Sequence, residues 1–342
     1  MKYKKHSNKS KSDFLYQFIE KTLKDDPENF ISETFNVEGK GDATELKTCI
    51  KEKGILLIPG STMKGAIKSA MLYNWLMQDK QEKIIAKILN DLKLLYNSAD
   101  NESRKEIKKE KSISTKIANL LDQFLEKMDK DNRLNFSLFK IEDAYFENEI
   151  PIWIHTLRYP LKYKENKEEE KKEIPIFLEA IQKGAKSSFS IEFESNQADC
   201  NLTEYFKDSG IYTLVKHINR YSKENLQYEQ TCVQRKNELV GYLNELYSLE
   251  EQIDQSDENA AFIPVGFGKT NFYQSIGLAL WNWINRLKKD EDDYLKNAFE
   301  NYLRLFKIGR KIDNTWQKQM PLTRILSEYN QQPLGWIKLT IK

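Results

Sequence analysis

What this chain has little of narrows its class before any motif is read. It has no uninterrupted apolar run of about 18 residues, which argues against a membrane-spanning helix. The basic start MKYKKHSNKSKS lacks the apolar stretch of a secretion signal. Only three cysteines occur, Cys49, Cys200 and Cys232, far apart and with no C-x-x-C spacing. That odd, scattered set reads as free thiols in a reducing compartment, with neither a disulfide framework nor a metal site. A cytoplasmic protein is expected. Histidine is equally sparse: His6, His155 and His217 lie in unrelated contexts and form no pair suited to acid–base work. Net charge is also nearly absent, 54 basic against 52 acidic residues, so bulk electrostatics do not announce a nucleic-acid binder.

What is present is a 342-residue chain with 31% charged and 39% hydrophobic residues, enough for two domains or for one enlarged by insertions. Charge is uneven along it. Met1–Lys24 carries seven lysines and two acids, a net +5, and Arg304–Lys342 has eight bases and two acids, a net +6. Glu250–Glu258 holds five acids and no base. A polyanion would favour the ends of the chain over that acidic segment. The run Lys162–Glu173 has five lysines and five glutamates and reads as a solvated loop.

The most informative stretch is Ile55–Trp75. The apolar run Ile55-Leu56-Leu57-Ile58 stops at Pro59-Gly60, then Ser61 and Thr62 precede Met63, Ala66, Ile67, Ala70 and Met71 at helical spacing. Strand, turn and hydroxyl-capped helix are predicted. The first turn of a helix offers unpartnered N–H groups and the positive pole of the macrodipole. Gly65 permits close approach of a backbone or phosphate, and Lys64 and Lys68 add positive charge. The element reads as an anion seat. A capped helix with two surface lysines is the plainer alternative.

Further on, Ile84, Ile88, Leu92 and Leu95, then Ile117, Leu120, Leu121, Phe124, Leu125 and Met128, predict two helices of an inserted hairpin. From Phe136 the period becomes two, predicting a strand through Tyr145, another at Ile152–Leu157 and a third from Ile174. The region 202–255 is again helical and amphipathic, and the core resumes at Phe262. Phe262-Ile263-Pro264-Val265-Gly266-Phe267-Gly268-Lys269-Thr270 ends in GKT, but the P-loop fingerprint needs glycine where Ile263 stands, so that reading fails. What remains is a strand, a Gly-x-Gly-Lys loop whose N–H groups could face a phosphate, and a helix over about 271–287.

These motifs together resemble the RAMP proteins, RNA-binding subunits of type III CRISPR effector complexes. Ile58-Pro59-Gly60-Ser61-Thr62-Met63-Lys64-Gly65-Ala66-Ile67-Lys68 is similar to their IPGSxLKGxxR signature, with Lys68 in the arginine position. Phe139–Tyr145 resembles their hydrophobic-x-V-x-D-[SA] strand, where Asp143 is read as fixing a turn or hydrogen bond. Glu179 through Phe189 resembles E-x-[IV]-x-x-G-[TA]-x-F, with Gly184 making the turn. The Gly266–Thr270 stretch matches the family's glycine-rich loop. The ending Pro321-Leu322-Thr323-Arg324 … Pro333-Leu334-Gly335-Trp336-Ile337-Lys338-Leu339 is most similar to the RAMP-family cap subunit of the type III-A (Csm) complex. Trp336 could stack on a base, but a tryptophan in a closing strand is more often core.

The resemblance implies an α+β fold, a ferredoxin-like (RRM-type) RAMP core with helical insertions. Its parts would be an arm over 1–53, a core over 54–198 with the helical hairpin at 78–133, a helical insertion over 199–260, and the end of the core over 261–342. Family members open with a strand ending in T-P-x-H-x-G, and nothing in Met1–Thr48 reads that way. The implied function is a non-catalytic guide-RNA-binding subunit at the crRNA 3′ end, supporting crRNA maturation and target binding. The implied RNA contacts are Ser61, Thr62, Lys64, Gly65, Lys68, Gly266, Gly268, Lys269, Thr270 and Arg324, mostly to phosphate. Implied partners are crRNA, target RNA, RAMP backbone subunits and a host nuclease that trims the crRNA 3′ end, with no membrane, cofactor, metal or catalytic residue. The competing class is a RAMP endoribonuclease using a loop aspartate, for which the chain offers Asp42. A helical scaffold unrelated to RNA would explain the apolar stripes but not the glycine loops.

Overall fold

The computed structural model describes residues 37–38, 45–78, 82–83, 85–87, 139–160, 176–193, 210–234, 237–266, 277–286, 311–312, 315–316, 323–327 and 331–341. The predicted hairpin helices over 78–133 lie almost wholly outside the described residues, as do Asp42, Gly268, Lys269 and Thr270.

The fold is mixed α+β, with several small sheets packed around helices. Strands β1 (Val37–Glu38), β2 (Glu45–Lys47), β3 (Lys51–Glu52) and β4 (Ile55–Ile58) lead into helix α1 (Gly60–Leu76). After it come β5 (Phe139–Ile141), β6 (Ala144–Phe146), β7 (Ile152–Pro160), β8 (Ile176–Ala180) and β9 (Ile191–Phe193). Helices α2 (Gly210–Val233) and α3 (Val240–Asp254) precede β10 (Ala260–Pro264) and α4 (Gly277–Arg286). The chain closes with β11 (Lys311–Ile312), β12 (Thr315–Trp316), β13 (Thr323–Ser327) and β14 (Trp336–Thr340).

The largest sheet is built on β7. One edge of β7 pairs antiparallel with β8; the other is shared by β1, parallel, and β13, antiparallel, with Leu326 opposite Leu157. β2 adds parallel to β8, so the N-terminal arm flanks the β7–β8 pair on both sides. The arm therefore does supply strands. They are two and three residues long, too short for period-two alternation to reveal them.

A second sheet has the order β3-β4-β6. β3 and β4 are joined by Lys53-Gly54, both at positive φ (49° and 83°), the geometry of a two-residue type I′ hairpin. The single strand expected through Tyr145 is instead two. β5 pairs with β9, and after Glu142-Asp143 the chain leaves that partner for β4. Gly184 makes its expected turn, at φ +91° with Ala185 N–H bonded to Gln182 O.

The core is organised by α2. Its Leu214, Ile218, Tyr221, Leu226 and Val233 pack with Met63, Ile67, Ala70 and Leu76 of α1, Leu56 of β4, and Leu278, Leu280 and Trp283 of α4. The start of α1 buries one face, whereas Tyr73, Asn74, Trp75 and Leu76 at its end are all buried. Each fully buried large side chain contributes about 1.5–3 kcal/mol, which is what holds so many short strands in place. Asn74 Nδ2 donates to His217 O at 2.8 Å, tying α1 to α2, and Trp283 Nε1 donates to Leu76 O at 2.8 Å, satisfying a carbonyl at the end of α1.

Strand β10 has β14 on one edge and α2 on the other. Phe262 N–H donates to Asn219 Oδ1 at 2.9 Å, Asn219 Nδ2 donates to Ala260 O, and buried Ser222 donates to Phe262 O at 2.6 Å. Helix side chains thus replace a neighbouring strand and close an edge that would otherwise carry unpaired backbone groups.

Candidate nucleic-acid interface

The site begins at the turn between β4 and α1. Pro59 is the N-cap residue, and no side chain in the cap position bonds to the helix. The expected hydroxyl cap is therefore corrected: Ser61 and Thr62 already sit inside the first helical turn. A residue far along the chain takes over the capping. Asp143 Oδ1 accepts the Gly60 N–H at 2.6 Å. Thr62 and Met63 N–H groups both donate to Pro59 O, at 2.9 and 3.2 Å. Three of the first four N–H groups are thus used within the chain, and a carboxylate of the protein's own lies at the positive pole of the helix. The anion-seat reading is corrected to that extent.

The close approach attributed to Gly65 belongs to Gly60. A Cβ on Gly60 would lie 2.0 Å from Ile141 O and 2.8 Å from Glu142 O, so only glycine fits against that crossing strand. A Cβ on Gly65 would meet nothing within 4 Å in the chain. Gly65 is exposed, as is Ser61, and Lys64 and Lys68 are half-buried beside them. Positions 61, 64, 65 and 68 recur at helical spacing, so they share the outer face of α1 while Met63, Ala66, Ile67 and Ala70 face the core. Burial pulls the Lys64 ammonium below its ordinary pKa, and the like charge of Lys68 adds to that. Like charges at i and i+4 cost a few tenths of a kcal/mol, and an anion between them reverses the sign.

The segment Ile141–Tyr145 joins this helix start to the turn that follows β8. Glu142 N–H donates to Ser190 O at 3.1 Å, Ser190 N–H donates to Glu142 Oε2 at 3.2 Å, and Ser187 Oγ donates to Tyr145 O at 2.5 Å. Glu179 anchors the other end: buried, it accepts from Cys49 N–H at 2.9 Å and pairs with Lys51 Nζ at 2.5 Å. Three stretches singled out in the sequence, 58–68, 139–145 and 179–189, are brought together here. Asp143 and Gly184 hold the frame, as expected of them.

The second glycine loop has a different reason for its first glycine. Val265 and Gly266 N–H groups both donate to Gly335 O, at 2.8 and 3.1 Å. A Cβ on Gly266 would stand 2.7 Å from Gly335 Cα, and one on Gly335 would stand 2.6 Å from Gly266 Cα. Gly335 also sits at φ +79°. Gly266 thus forms a backbone clasp on the closing strand, a reason for glycine separate from the phosphate contact expected of it. Trp336 is half-buried and packs against the core.

Arg324, expected at the RNA contact, is turned into the core. It is 3% exposed and its guanidinium holds both carboxylate oxygens of Glu229, itself fully buried, with Nη2 to Oε2 at 2.6 Å. Tyr242 O–H donates to Glu229 Oε1 at 3.1 Å. The bidentate pair locks β13 to α2, a fork geometry that suits carboxylate as well as phosphate. The signal that could have found it is a glutamate on the apolar stripe of α2, three residues after Leu226 and four before Val233.

Among the described residues no group of three or more His, Cys, Asp or Glu is placed to hold a metal ion, and no helix is long and apolar enough to cross a membrane.

No protein-family model matches the chain. It is 27% identical over 317 residues to the "CRISPR system Cms protein Csm5" of Methanocaldococcus jannaschii, a match spanning 87% of this chain and 66% of that protein's length. Two solved structures share the fold. One is the crystal structure of T. onnurineus Csm5, with a TM-score of 0.50 and 18% identity over 94% of this chain and 81% of the other. The second is a chain of the cryo-EM structure of a Csm–crRNA–target RNA ternary complex of a type III-A CRISPR–Cas system. That likeness has a TM-score of 0.50 and 19% identity, over 86% of this chain and 75% of the other.

Proposed function

We propose that this protein is a non-catalytic, guide-RNA-binding subunit of a type III-A CRISPR effector complex, placed at the crRNA 3′ end. There it supports crRNA maturation and target binding and contacts a RAMP backbone subunit end-on. A host nuclease that trims the crRNA 3′ end is a further partner in this reading, and the cytoplasm its location. A ferredoxin-like core is part of this reading: the order of β4, α1, β5–β6, α2 and β10 along the chain supports it, with β7–β9 and α3 interposed, although these strands pair in three separate small sheets. Similarity to a Csm5 over 87% of the chain supports the assignment.

One observation carries the RNA-binding reading: Ser61, Lys64, Gly65 and Lys68 form an outward face at the start of α1, on a turn that two other motif segments hold rigid. Lysines and an open glycine recognise phosphate without reading bases. Binding of a mixed-sequence single-stranded RNA is therefore expected to weaken with salt and vary little with sequence. Lys64→Ala with Lys68→Ala should lower the slope of log affinity against log salt by about 1.4, two contacts at about 0.7 each. An unchanged slope would sink the reading.

The non-catalytic part is tested separately. In the assembled complex, Asp42→Ala is expected to leave the target-RNA cleavage pattern intact. Loss of the single cut nearest the guide's 3′ end, with other cuts retained, would make this subunit a ribonuclease.

A further inference from the structure

The turn after β8 carries charge as well as a reversal of the chain. Gln182–Ser190 (QKGAKSSFS) holds two lysines and no acid, the same balance as Ser61–Ser69 (STMKGAIKS). Lys183, Lys186, Ser187 and Ser188 are exposed, and Gly184 lends the segment its sharp reversal at φ +91°. These lysines stand on a braced frame. Ser190 exchanges two hydrogen bonds with Glu142, and Ser187 Oγ donates to Tyr145 O.

That frame is the same crossing strand that receives the helix start. Ile141 pairs with Ile191 on one side, one strand spacing away (about 4.8 Å), and Gly60 packs against Ile141 O on the other. The acids in between are spoken for in part: Asp143 accepts the Gly60 N–H and Glu142 accepts the Ser190 N–H. Two lysine-only segments thus flank one narrow strand, each with serines able to donate to phosphate oxygens.

We propose that Gln182–Ser190 is a second phosphate-binding surface, continuous with the Lys64–Lys68 face of α1, and that both hold the backbone of one single RNA strand. The proposal rests on the RNA-binding reading above and extends it to a separate part of the chain. Lys183 and Lys186 grip successive phosphates beyond those at α1, and Ser187 and Ser188 supply uncharged donors. Two braced patches fix the path of the strand, where one patch would fix only a point on it.

The test uses the full chain and a fluorescein-labelled single-stranded RNA of mixed sequence, with affinity measured over a range of salt. Five proteins are compared: wild type, the Lys64→Ala/Lys68→Ala pair, the Lys183→Ala/Lys186→Ala pair, all four alanine changes together, and the Lys183→Arg/Lys186→Arg pair. Each alanine pair should lower the salt slope by about 1.4, with the quadruple variant lowering it by the sum. Lys183→Arg with Lys186→Arg should restore the slope. Lys183 and Lys186 are exposed and Lys64 and Lys68 half-buried, and an unchanged thermal midpoint in each variant shows that folding is not what the slope reports. If the α1 pair lowers the slope and the 183/186 pair does not, the second surface is refuted and the functional reading stands. If neither pair acts, both fail. If the 183/186 pair lowers the slope but the quadruple variant lowers it no further than either pair alone, the shared-strand proposal is overturned.

Discussion

Gly60 and Arg324 show how a residue inside a motif that resembles a ligand site can be spent on the fold itself, and Asp143 makes the hydrogen bond its motif implied. Gly60→Ala drives a methyl into Ile141 O, and neither the helix start nor the crossing strand can yield without moving a packed core. A loss of at least about 2 kcal/mol is expected in denaturant unfolding; a variant within about 0.5 kcal/mol of wild type would reject the contact. Asp143→Ala removes the carboxylate acceptor of the first helical N–H and should cost about 1 kcal/mol. Arg324→Ala leaves Glu229 buried without its cation, an expected cost of about 3–5 kcal/mol. Replacing both partners, Arg324→Met with Glu229→Leu, should recover much of that loss. A folded double variant with an unaltered RNA salt slope would separate Arg324 from RNA contact; a lowered slope would return it to the interface.

At the scale of elements, the β10–β14 pair carries the most concentrated dependence. β14 closes β10 along Ala260–Pro264, and beyond it the paired N–H groups of Val265 and Gly266 meet Gly335 O. The two glycines touch Cα to Cα, so a methyl on either separates the clasp. Gly335→Ala adds the cost of a left-handed backbone to that of the clash. It should destabilise more than Gly241→Ala, where the nearest atom is the Gln331 side-chain oxygen at 3.0 Å. Thermal midpoints of the two variants decide the point, and equal midpoints would contradict the clasp. The same logic explains α3, whose start is held by Gln331: its Oε1 accepts from Tyr242 N–H at 3.2 Å and its Nε2 donates to Glu238 O.

For the whole molecule, buried tyrosines set an alkaline limit. Burial, with the Glu224 carboxylate second, raises the Tyr73 hydroxyl to about 12; Tyr221 and Tyr228 are raised as well, again by burial first. In the unfolded chain these groups ionise near 10. Above that pH the unfolded state binds fewer protons than the folded one, so stability is complete below about 10 and falls as pH climbs toward 12. Tyr73 alone accounts for roughly 2–3 kcal/mol of that fall. Thermal melts from pH 8 to 11.5 should show a midpoint that is flat and then declines, and Tyr73→Phe should shrink the decline. A profile flat through pH 11.5 would show these hydroxyls to be solvated.

The sequence by itself determined the elements whose signals are local. Apolar spacing located α1, α2 and α3, short apolar runs bounded by turn or charged residues located β7 and β8, and Gly184 marked its turn, because each depends on a pattern or a backbone angle carried within a few residues. It also singled out the stretches at 58–68, 139–145 and 179–189, and the lysine face of α1 was legible from Lys64 and Lys68 alone. What those stretches do to one another was decided only by tertiary structure. The cap of α1 comes from Asp143, 83 positions away, and the partner of Arg324 from Glu229, 95 positions away. Gly266 and Gly335 require glycine because they meet each other, and β1 and β2 exist because β7 and β8 offer them edges. A hydrogen-bond acceptor, a buried counter-charge or a backbone contact has no period in sequence; it acquires its partner when the core closes.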